Sequence, residues 1–148
     1  MSGGFFDIYV LGRDRSEEAS LDFLNAFAPR REQSRDEYLT TDGGSCESVE
    51  AVVRFCAIHL KEKQSIYCRN LSKGPAHVMV FFNVDGSVIW GLSVSKDARR
   101  WLTKLRQHSG SQLGCVTFEE PPPETADDFR TWCVARTRMW KNDRDLYT

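Results

Sequence analysis

Val80-Phe81-Phe82-Asn83-Val84-Asp85-Gly86-Ser87-Val88-Ile89-Trp90-Gly91-Leu92-Ser93 places two apolar runs on either side of an Asp-Gly pair. Asp and Gly both tolerate the positive φ of a type I′ turn, so the pair predicts a β-hairpin. Its two strands extend over Ala76 to Val84 and Ser87 to Val94. From His77 to Val84 nearly every residue is apolar, which is the mark of a central strand covered on both faces. A further strand is predicted just upstream, from Ser65 to Leu71.

Working towards the N-terminus, Val49, Val52, Val53, Cys56 and Leu60 follow the spacing of one buried helical face. Asp42-Gly43-Gly44-Ser45 reads as the turn that leads into that helix, and Tyr38 to Thr41 as a short edge strand. Arg30 to Glu37 reads as an exposed loop. Phe5 to Leu11 is β-prone and ends in the charged turn Arg13-Asp14-Arg15. Ser16 then caps a helix with Glu17 and Glu18 in its first turn, and Pro29 stops it. Towards the C-terminus, Ser95 is the predicted cap of a third helix, with Ala98, Trp101, Leu102 and Leu105 inward and Gly110 at its end. Leu113 to Phe118 is a strand. Thr125-x-x-Asp128 resembles a capping box for a last helix whose inner face carries Phe129, Trp132, Cys133 and Arg136. The order predicts an α+β fold: a mixed, largely antiparallel sheet with a central Asp-Gly hairpin and about four packed helices.

The chain has 148 residues, which suits one domain over 1–148. At 41% hydrophobic, with nine Phe, four Trp and four Tyr, it is too apolar to be disordered. Twenty basic against 21 acidic residues leave a net charge of −1, which disfavours a surface devoted to nucleic acid or anionic membrane. No run reaches the ~18 apolar residues of a membrane span. Met1-Ser2-Gly3-Gly4 lacks the form of a signal peptide. Five cysteines without a CxxC pair read as reduced thiols, so a cytoplasmic setting is expected.

Catalytic and metal motifs are sparse. The three histidines fall on three different elements and form no HExxH, so neither a metal site nor a cofactor is expected. Cys68 and His77 are the one Cys/His pair that neighbouring strands could bring together. Asp42-Gly43-Gly44-Ser45 could offer amides to an anion but has no P-loop lysine. Lys73-Gly74-Pro75-Ala76-His77-Val78-Met79-Val80 shares letters with an RNA-recognition strand but lacks the aromatic residues that stack on bases. Arg99, Arg100, Lys104 and Arg106, and then Arg136, Arg138, Lys141 and Arg144, read as solvated helix faces. No enzymatic activity is predicted.

The acidic segment is more distinctive. Glu119, Glu120, Glu124, Asp127 and Asp128 fall within ten residues that contain no basic side chain, and Pro121-Pro122-Pro123 stiffens the loop. A stiff acidic loop suits docking to a basic partner. The alternative is a solubilising loop followed by acids that complement a helix dipole. Trp140 is a candidate aromatic anchor, as is Trp90, for which a core position is the stronger reading.

The hairpin stretch from Val80 to Ser93, ending in Gly-Leu-Ser before a helix, resembles the central hairpin of certain bacterial immunity proteins. Gly114-Cys115-Val116-Thr117-Phe118-Glu119-Glu120-Pro121-Pro122 is similar to the Glu-Pro-Pro ending of their next strand. The resemblance covers roughly residues 64–122 and rests on structural motifs. It implies a cytoplasmic protein that binds a cognate toxin domain of a polymorphic-toxin or contact-dependent inhibition system and occludes its active site. A small enzyme or ligand-binding domain, with a pocket the motifs do not reveal, is the alternative.

Overall fold

The computed structural model describes residues 4–32 and 38–140, the side chains of 138–140 excepted. In chain order the elements are β1 (Phe6–Leu11), α1 (Glu17–Phe27), β2 (Tyr38–Leu39), β3 (Ser45–Cys46), α2 (Val49–Ile58), β4 (Gln64–Arg69), β5 (His77–Phe82), β6 (Val88–Val94), α3 (Ala98–Ser109), β7 (Gly114–Phe118) and α4 (Ala126–Trp140). The fold is α+β. Five strands form one sheet in the order β4-β5-β6-β1-β7, antiparallel at every pairing, and β2 and β3 form a separate small ribbon.

Alternation along the strands sorts the sheet into two faces. Ile8, Val10, Val78, Val80, Phe82, Val88, Trp90 and Leu92 point to one face, where α1, α2 and α3 supply Phe23, Leu24, Val52, Val53, Cys56 and Leu105. Trp90 is fully buried and stacks on Phe23, with ring centroids 5.2 Å apart and planes 5° from parallel. Its candidacy as an anchor for a partner is thereby overturned. Tyr9, Met79, Phe81, Ile89 and Cys115 point to the opposite face, where α4 contributes Phe129 and Cys133. The continuous apolar run of β5 is explained by this covering of both faces.

Local chemistry departs from expectation at the ends of elements. In the β5–β6 connection only Gly86 has a positive φ, +87°. Its N–H donates to the Asn83 carbonyl at 3.1 Å, and the Asn83 N–H donates to the Ser87 carbonyl at 3.0 Å. A connection over Val84–Gly86 therefore replaces the two-residue type I′ turn, which needs positive φ at both of its central residues. Asp85 keeps its carboxylate for two backbone donors, the N–H groups of Ser87 at 3.0 Å and Ala126 at 2.8 Å. Asp42-Gly43-Gly44 turns the β2–β3 ribbon and does not open a helix; Ser48 caps α2. Ser95 caps nothing, and Asp97 holds the α3 N-cap position in the left-handed region, with no side-chain bond. Ser16 caps α1 as expected, and Thr125 Oγ1 accepts from the Asp128 N–H at 3.1 Å.

Arg15, read as part of a charged turn, is only 4% exposed. Its guanidinium donates to four backbone carbonyls: Cys56 and Asn83 at 2.8 Å each, His59 at 2.9 Å and Glu62 at 3.0 Å. It also lies over the Phe82 ring, 5.2 Å from the centroid. Three of those carbonyls stand at or just beyond the C-terminal end of α2, where the helix dipole favours a cation and the last turn of the helix has no basic residue of its own. The chain leaves helical geometry there, so Leu60 lies outside α2 and is exposed, against the expectation that it extends the buried face.

Replacing Arg15 with Met leaves several buried carbonyls without donors and is expected to cost about 3 kcal/mol or more. Urea unfolding followed by Trp fluorescence would show this as a lower midpoint. Arg15→Lys is expected to recover only part of the loss, because an ammonium group cannot span the planar fork.

Candidate functional site

The acidic segment begins where β7 ends. Glu119 adopts φ +54°, a corner uncommon for a residue other than glycine, and packs its carboxylate against Gly4, which has no Cβ to obstruct it. From there the chain crosses the sheet face opposite α1, α2 and α3. The Tyr9 hydroxyl donates to the Glu120 carbonyl at 2.8 Å, and Arg136 Nε donates to the Glu120 carboxylate at 2.7 Å. Pro122 is buried, and Pro121 to Pro123 lie alongside Tyr67 and Phe81. The Lys63 ammonium pairs with Glu124, and the Asp85 carboxylate takes the Ala126 N–H. Side chains from β1, α4, the approach to β4 and the β5–β6 turn thus pin the segment.

The predicted site residues separate into two groups. Glu120 and Glu124 are structural, each holding a cation of the same chain. Glu124 is itself exposed, and Glu119, Asp127 and Asp128 are exposed with no salt bridge among the described residues; the two aspartates occupy the first turn of α4. Trp140 closes α4, and its side chain lies outside the described residues. Arg136 belongs with Glu120 and also lies over the Trp132 ring, 5.3 Å from the centroid. Lys141, Arg144 and the Arg138 side chain lie outside the described residues.

Beside the pinned segment the sheet remains open. A cleft of about 470 Å³ is lined by Asp7, Tyr9, Tyr67, His77, Met79 and Ser93, with Glu119 on its rim. Strand register explains the convergence: Thr117, Asp7, Ser93, His77 and Arg69 form one row across β7, β1, β6, β5 and β4. Ser93 Oγ donates to Asp7 Oδ1 at 2.6 Å. Burial pushes the Asp7 carboxyl above its ordinary value of 3.8; the Ser93 bond opposes that shift and the negative charge of Glu119 adds to it. Ser93 therefore bonds to the carboxylate and not to His77, which is not the relay a serine nucleophile requires. The cleft offers an acid, two phenols and an imidazole to a bound group. Gly91 lies beneath the Tyr9 ring, where a Cβ would come within 2.8 Å of Cδ1.

Cys68 and His77 are not brought together. The register places Cys68 opposite Val78 and His77 opposite Arg69, so the two side chains point to opposite faces. Cys68 is buried, and burial pushes its thiol pKa up. Among the described residues no group of three or more His, Cys, Asp or Glu is arranged to hold a metal ion, and no helix is long and apolar enough to cross a membrane. The residues that sequence reasoning missed are Asp7, Tyr9, Tyr67 and Ser93. One signal was available: Asp7 is the only charged residue in the apolar run from Phe5 to Leu11. Comparison with protein-family models, with functionally described proteins and with solved structures finds no match to this chain.

A raised pKa at Asp7 means that the folded protein prefers the neutral acid. The associated stability is present below the ordinary value of 3.8 and is lost as pH rises through the folded-state pKa. Asp7→Asn keeps an acceptor for Ser93 without that dependence. Thermal melts from acid to neutral pH are expected to show the variant gaining on the wild type as pH rises through this window. A gap that stays constant with pH would show that Asp7 carries no such strain.

Proposed function

We propose that this chain is a cytoplasmic immunity protein that binds a cognate bacterial toxin domain through the surface formed by Glu119 and the first turn of α4, and so occludes the toxin's active site. The observation that carries this reading is the pre-organisation of the acidic segment. Tyr9, Arg136, Lys63 and Asp85 hold it in place, while Glu119, Asp127 and Asp128 remain exposed. A rigid loop loses little conformational entropy on binding, and unneutralised carboxylates speed encounter with a basic surface and select for it. A toxin whose active site handles a polyanion presents such a surface. The likeness of the β5–β6 region and the Glu-Pro-Pro strand ending to immunity proteins supports the same reading. Inhibition of this kind asks for a stable scaffold and a complementary patch, with no chemistry of its own.

A ligand-binding domain is the second reading, favoured by the cleft at Asp7, Tyr9 and His77. Native mass spectrometry of the purified protein separates the two, since a retained small molecule lost on Tyr9→Phe or Asp7→Asn would support the cleft.

The experiment for the first reading is co-expression with a candidate toxin domain, the C-terminal domain encoded immediately upstream where the locus contains one. Glu120 and Glu124 are left intact because they hold the segment in place. Wild type is expected to restore growth. Glu119→Lys, Asp127→Lys and Asp128→Lys combined are expected to weaken toxin binding by at least about tenfold and to abolish rescue, with the fold unchanged by circular dichroism. Undiminished binding by the triple variant would remove this surface from the interface. Failure of the wild type to rescue would overturn the reading itself.

A further inference from the structure

A second cleft, independent of the toxin reading, lies where α3, the start of β7 and α4 meet. Arg99 and Arg106 from α3, Gln112, and Cys133, Val134 and Thr137 from α4 line a cavity of about 460 Å³. That volume falls in the range of small-molecule sites. Among the described residues no Asp or Glu lines it. Arg106 Nη2 donates to the Gly114 carbonyl at 2.8 Å, which fixes the guanidinium in the wall, while its Nε–H is buried without a hydrogen-bond partner. A buried donor on a charged group is costly to leave unmade, and an incoming anion would satisfy it.

The Arg106 charge also reaches the Cys115–Cys133 thiol pair in the same wall. The Cys133 thiol is held below its ordinary pKa by the Cys115 thiol that donates to it; burial opposes this, and Arg106 and the Thr137 hydroxyl reinforce it. Leu113 and Val134, which is 45% exposed, add apolar lining. Inorganic phosphate would leave that lining uncovered, whereas an acid carrying an apolar body would cover it.

We propose that this cleft binds a small organic anion, with the acid group held by Arg106 and Arg99 and the apolar body against Leu113 and Val134. The acid is a carboxylate or a phosphate monoester, and both present the oxygen pair that a guanidinium fork recognises.

The test is isothermal titration calorimetry of the full chain with phenyl phosphate, with benzoate and with neutral benzyl alcohol, repeated on Arg106→Gln and Arg99→Gln. At least one acid is expected to bind with a Kd of about 1 mM or tighter, and each variant is expected to lose about tenfold or more. Binding of phenyl phosphate alone assigns a phosphate ester, and binding of benzoate alone assigns a carboxylate. Arg106 also anchors Gly114 and Arg99 has a partner of its own, so a thermal melt accompanies both variants, and the variant that keeps its fold carries the test. The proposal is overturned if neither acid binds at about 10 mM, if benzyl alcohol binds as well as the acids, or if Arg99→Gln binds unchanged.

Discussion

The four carbonyls gathered by Arg15 join three parts of the chain that share no strand pairing: the β1–α1 turn, the end of α2 and the β5–β6 turn. Its acceptors are neutral backbone oxygens, so the cation is stabilised by dipoles and not by an ion pair. The arrangement ends α2 and fixes the Asn83 side of the β5–β6 turn. From that turn Asp85 reaches the first N–H of α4. A single buried cation on one side of the sheet thus bears on where the acidic segment ends on the other.

That coupling separates the molecule's two faces by task. The face under α1, α2 and α3 is a dry core centred on Trp90 and Phe23. The other is only partly covered, by α4 at the β7 end and by the proline segment beyond it. Polar groups that would be costly in the core converge there: Asp7, Ser93, His77 and the phenols of Tyr9 and Tyr67. The segment above them places two of its acids in internal pairs and leaves the other three exposed without one among the described residues. The division between scaffold and surface that the immunity reading needs is supported by this layout.

The apolar periodicity made most of the architecture legible. The strands at Phe6–Leu11, His77–Phe82 and Val88–Val94, and the helices capped by Ser16 and Thr125, follow directly from continuous apolar runs, helical spacing and local capping chemistry. Details settled by long-range contacts were not legible. Arg15 stands in a stretch that reads as a solvent-facing turn, because nothing local reveals that carbonyls 41 to 68 residues away will collect around it. Asp85 signals a tight turn, yet its carboxylate is occupied by Ala126, 41 residues on. The acidic segment was visible as composition. Its division into paired Glu120 and Glu124 and exposed Glu119, Asp127 and Asp128 depends on Lys63 and Arg136, which only the fold brings near. The Asp7 row depends on register across five strands, which no single strand encodes.

The central claim is that a pre-organised acidic surface on this chain captures one toxin domain. Calorimetric titration of the purified chain with the C-terminal domain encoded immediately upstream, where the locus contains one, at low and at high salt, tests it most directly. A tight 1:1 complex whose affinity falls as salt rises is expected, because exposed carboxylates carry the encounter. No heat of binding at either salt would contradict it, and a complex indifferent to salt would place the interface on a surface other than the acidic one.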